Sequence, residues 1–180
     1  LGNLHEATGD HDDAFEAQVV LSEVVPTVAT VSFEDAGGGT AEIVAESSEG
    51  HRILRAVEGT DDSPVSATLV GLKAGTDYSV HVEITGGSRD GASSPPVEIT
   101  TGNVPTVLPS TDVLLSGDAA VADGYLVTSV FAPVTAAVIL DGDGDYVWWS
   151  LPDAGEDKVS RVVPSVDGES LLFWYVNIQD

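Results

Sequence analysis

The sequence contains no cysteine and no methionine. Disulfide bridges and thiolate-held metals are thereby excluded, so core burial and hydrogen bonds must hold any fold. Positive charge is nearly as scarce: 6 Lys and Arg stand against 30 Asp and Glu, a formal net charge of -24. A phosphate backbone repels such a surface, which argues against nucleic acid as a partner, and an anionic membrane surface is disfavoured for the same reason. No apolar run approaches the ~20 residues that span a bilayer, so no transmembrane segment is expected. Gly-x-Ser-x-Gly, P-loop, HExxH and GxGxxG motifs are all missing. The chain opens on Leu1 rather than on an initiator, as expected where a leader has been removed.

What is present reads as strand. Hydrophobic residues make up 42% of the chain, enough for a core, while charged residues make up only 20%. Residues 1–14 are polar and acidic with no apolar period, and read as a tail. His11, Asp12 and Asp13 lie in it, with nothing rigid to hold them around a metal. From Phe15 to Thr101 apolar residues alternate with polar ones. Tyr78, Val80, Val82 and Ile84 fall on one face, with Ser79, His81, Glu83 and Thr85 on the other. Ala29, Val31 and Phe33 alternate likewise before Asp35 and Gly37–Gly39, as do Ala41, Ile43 and Ala45 against Glu42, Val44 and Glu46. Short strands between Gly, Ser and Asp turns, with no helical period, predict an all-β fold with a sandwich over 15–101.

One stretch is more specific. Leu69, Leu72, Gly75, Thr76, Tyr78, Val80 and Val82 have the spacing of the fibronectin type III pattern L-x-x-L-x-P-G-T-x-Y-x-V-x-V, with Ala74 at the usual proline. Residues 89–101 resemble that family's last loop and last strand, and Phe33 stands where strand B usually carries Trp. The resemblance implies a tyrosine corner: the Tyr78 hydroxyl bonding back to the backbone upstream, with Leu72 in the core. It implies a fold and no function.

Residues 102–110 carry Pro105 and Pro109 and read as an extended, semi-rigid linker. Beyond it the composition changes. Trp148, Trp149 and Trp174 all lie in 111–180, and Asp-Gly pairs recur at Asp123, Asp143 and Asp167, each before an apolar strand. Asp-Gly between apolar runs is a hairpin signal, and repeated hairpins with periodic aromatics predict propeller blades. Ala137–Trp149 resembles the first blade of bacterial arylsulfotransferase-type propellers, a family that also places a small sandwich ahead of the propeller. About 70 residues make at most one and a half blades of ~40–45 residues. Residues 111–180 are therefore expected to need the remainder of a propeller, or another subunit, against them. A homo-oligomer or surface assembly would serve equally.

Three candidate sites follow. Asp141, Asp143 and Asp145 place three carboxylates within five residues. They are candidates for Ca²⁺, weighed against a solvated hairpin turn; Tyr146 and Pro152 stand where an EF-hand needs Gly and Glu. His5, His11, His51 and His81 read as surface histidines. Trp148–Trp149 and Phe173–Tyr175 read as packing between sheets or, less economically, as a carbohydrate platform. The catalytic histidines and arginine of the resembled propellers lie in later blades, and no residue here corresponds to them. The expectation is an extracytoplasmic bacterial chain, periplasmic, cell-surface or secreted. It would be the non-catalytic N-terminal part of an arylsulfotransferase-like protein, or a structural or adhesive surface component.

Overall fold

The protein is all-β. Its computed structural model describes residues 15–34, 36–58, 64–112, 124–131, 134–152, 158–166 and 170–176. The acidic tail, and the Asp-Gly turns expected at Asp123 and Asp167, lie wholly or partly outside these residues. No helix among the described residues is long and apolar enough to cross a membrane.

The first part of the chain forms two antiparallel sheets. One orders β1 (Ala17–Leu21), β2 (Ala29–Phe33) and β5 (Val65–Leu69) with β2 central. The other runs β4 (Arg52–Glu58), β3 (Thr40–Ser47), β6 (Asp77–Thr85) and β7 (Val97–Thr100). The alternating residues explain the pairing. Ala29, Val31 and Phe33 from one sheet and Ala41, Ile43, Ala45, Tyr78, Val80, Val82 and Ile84 from the other are all buried in a single cluster. Fully burying a residue of valine to phenylalanine size contributes roughly 1.5–3 kcal/mol, so this cluster dominates the stability of the first part. Register is fixed for the same reason, because a one-residue slip would turn every core side chain outward. Val44 is also buried, on the opposite side of β3, where its strand neighbours are Leu54 and His81.

The second part is a meander, β8 (Leu126–Val130), β9 (Ala136–Leu140) and β10 (Tyr146–Ser150), plus a hairpin, β11 (Lys158–Pro164) and β12 (Leu171–Val176). A bulge in β10 between Tyr146 and Trp148 shifts its register against β9. Trp149 is buried with Ala136, Val138 and Tyr146, whereas Trp148 bridges that cluster and the hairpin, its ring centroid 6.5 Å from that of Phe173. The hairpin covers the meander through Val159 and Val162 against Ala137.

The linker is not a free spacer. Gly102 N–H donates to Pro26 O, Gly75 N–H donates to Gly102 O, and Leu108 is buried among residues of the second part. These contacts bring the β5–β6 loop and the β9–β10 turn together.

Candidate functional site at the junction of the two parts

The β9–β10 turn is shaped by its own first residue. The Asp141 Oδ1 carboxylate oxygen accepts from the backbone N–H of Asp143 at 3.0 Å and of Asp145 at 2.9 Å. Gly144 adopts a left-handed φ of 84°, which closes the turn. This geometry gathers the carboxylates of Asp141, Asp143 and Asp145 to within 4.8 Å of one another.

A cation already sits among them, and it belongs to the protein. Lys73 Nζ, from the β5–β6 loop, lies 2.6 Å from Asp143 Oδ2, 2.8 Å from Asp145 Oδ2 and 3.4 Å from Asp141 Oδ2. Partial burial opposes its charge, but the bonds to Asp143 and Asp145 and the field of Asp141 outweigh that, and the ammonium pKa is raised. The bond to Lys73 holds the Asp143 carboxyl below its ordinary value. The group is thus a locked ion pair at neutral pH. An ammonium with a raised pKa is no nucleophile, and a carboxylate with a lowered one is no general acid.

Behind Lys73 stands Tyr78. Its hydroxyl accepts from Lys73 N–H at 2.9 Å and lies 2.6 Å from His51 Nδ1. The Tyr78 hydroxyl is buried and, among the described residues, His51 Nδ1 is the acceptor within hydrogen-bond distance of its proton, so the neutral tautomer with Nδ1 unprotonated is the one that satisfies both groups. His51 is therefore half-buried and partnered, where a turn sequence of Glu49-Gly50-His51-Arg52 reads as surface. Burial, and then the nearby Lys73 charge, lower its pKa; the three aspartates oppose this without reversing it. His81 lies on the outer face of β6, bonded to Glu83.

Apolar and neutral contacts complete the seam. Val25 and Leu108 pack with Ala136, Val138, Tyr146 and Trp149 in one buried cluster. Fully buried Thr27 donates from Oγ1 to Val147 O at 2.8 Å, and Tyr146 donates from its hydroxyl to Pro109 O at 2.9 Å. Thr111 donates to Gly144 O at 2.6 Å. Tyr125 lies over Gly71, whose φ of 93° few side chains adopt. An open cleft of about 540 Å³ flanks the seam, lined by residues of both parts including Lys73, Asn103, Asp145 and Tyr146.

No family profile, curated protein or solved structure matches this chain.

The chemistry of the site therefore rests on its geometry. Among the described residues, the histidine rings bond only to Tyr78 and Glu83, so no serine or threonine is paired with a histidine base. The sequence singled out the three aspartates and the structure gathers them. It gave no sign of Lys73, which lies 70 and 72 residues from its closest partners. The nearest available signal was that Lys73 is the one lysine in residues 1–157 of a strongly acidic chain.

Proposed function

We propose that this chain is a non-catalytic positioning module. In this reading a fibronectin type III-like sandwich, residues 15–101, is fixed against the first strands of a β-propeller in a secreted, arylsulfotransferase-like bacterial protein. The observation that carries it is the seam: Lys73 among three aspartates beside a shared apolar cluster. A flexible tether needs neither. The seven strands in two sheets and the Tyr78 bond to Lys73 N–H support the sandwich likeness. The meander, with Asp143–Gly144 in its β9–β10 turn, and the hairpin packed on it support the propeller likeness.

The exposed side of β12 favours a second reading, a structural or adhesive surface component. Leu172, Trp174 and Val176 are 50%, 47% and 41% exposed, and Arg161 stacks over Trp174 at 5.7 Å. Such a face, on a strand that among the described residues pairs along one edge only, suits contact with further β polypeptide or another subunit.

Two measurements test the positioning role. The purified chain should turn over no phenyl sulfate; turnover abolished by His51→Ala would contradict it. Trp149→Ala, which hollows the seam, should split a single urea transition in two. A single transition in the variant would show that the seam does not couple the parts.

A further inference from the structure

His51 sits where the two parts meet, and its bond is polarised one way. Lys73 N–H donates into the Tyr78 oxygen, and the Tyr78 proton has His51 Nδ1 as its acceptor. Tyr78 is buried, so no water waits to replace that acceptor. The rings stand edge to face at 68°, with centroids 5.9 Å apart. The backbone of His51 is anchored too, its N–H donating to Ser47 Oγ at 3.0 Å. We infer that His51 makes the seam responsive to mild acid: neutral, it takes the Tyr78 proton and holds the Lys73 loop closed; protonated, it leaves that proton without an acceptor and loosens the loop.

The groups around the imidazole bear on this. Tyr78 faces it from β6, Lys73 from the β5–β6 loop, and Asp141, Asp143 and Asp145 from the β9–β10 turn, while Glu49 and Arg52 flank it in sequence. Tyr125 lies within the field of Asp141 and acts on Tyr78. The aspartates attract a protonated ring, but Lys73 already occupies them, and a second cation has to compete with it. The sign follows from burial. The folded imidazole resists the proton, so the unfolded or opened chain takes it first as pH falls below ~6.5. Loop stability is complete above that pH and declines as pH falls toward the lower folded midpoint. Each unit between the two midpoints makes opening about tenfold easier once both states are protonated.

The inference rests on the seam being a closed contact, and one experiment separates the two ideas. Hydrogen exchange at the Lys73 amide, corrected for its intrinsic pH dependence, is followed from pH 8 to 5 in the whole chain. His51 is titrated alongside by NMR, with the urea-unfolded chain as reference. The expected result is a protected amide at pH 8, protection falling below pH ~6.5, and a His51 midpoint below the unfolded one. His51→Gln, which keeps an acceptor without titrating, should hold protection flat. Protection that is flat in the native chain overturns the inference and leaves the seam intact. An amide unprotected at every pH overturns both. Should His51→Gln fail to fold, the native titration decides alone.

Discussion

Tyr78 serves two partners with one oxygen, accepting from Lys73 N–H and donating to His51. Tyr78→Phe leaves a backbone donor and an imidazole acceptor unpaired, and should cost about 1–3 kcal/mol, read as a lower urea midpoint. An unchanged midpoint would mean the hydroxyl stabilises nothing. At Lys73 the ion pairs are partly screened, with Asp143 77% exposed and Asp141 only 10%. Lys73→Met should cost about 1–3 kcal/mol, between exposed pairs and buried ones. It should also leave three mutually repelling carboxylates, so millimolar Ca²⁺ should raise the melting temperature of Lys73→Met and leave the native chain unmoved. A native chain stabilised equally by Ca²⁺ would show that Lys73 does not satisfy the aspartates. The pair itself is insensitive to neutral pH. Its lysine contribution is complete below 10.5 and lost as pH rises beyond that, while the Asp143 contribution is present above 3.8 and lost as pH falls further.

Among the elements, β2 and β6 were the easiest to read. Tyr78, Val80, Val82 and Ile84 alternate in sequence and are buried in alternation, because a strand with one wet face has no other stable register. The β9–β10 turn was legible because Asp-Gly between apolar runs has few alternatives. The β5–β6 loop was only half legible. Tyr78, in β6 just beyond it, stood out, but nothing local says that Lys73 crosses to a turn some seventy residues on, since long-range pairing leaves no periodic trace. His51 escaped for a similar reason: it precedes β4, and its ring is partnered by Tyr78, which lies 27 residues away in sequence. Gly71 gives this loop a direct test. Gly71→Ala forces a left-handed φ and drives a methyl into the Tyr125 hydroxyl. It should cost about 1–3 kcal/mol; full native stability would place Tyr125 elsewhere.

Across the whole molecule the charges are lopsided and the seam is not. Against a net charge of -24, one lysine is placed where three carboxylates converge, and an apolar cluster closes beside it. All three tryptophans lie in the second part, and Trp149 packs with Val25 in the seam, so their emission reports on that part and on the seam, while amides of β2 and β6 report on the first. A seam of this kind makes the two parts turn in solution as one body. Backbone ¹⁵N relaxation of the intact chain tests it most directly, by comparing rotational correlation times for amides in β2, β3 and β6 with those in β9 and β10. One common tumbling time is expected for both sets, lost in Lys73→Met combined with Trp149→Ala; two distinct times in the native chain would show that the seam does not hold the parts together.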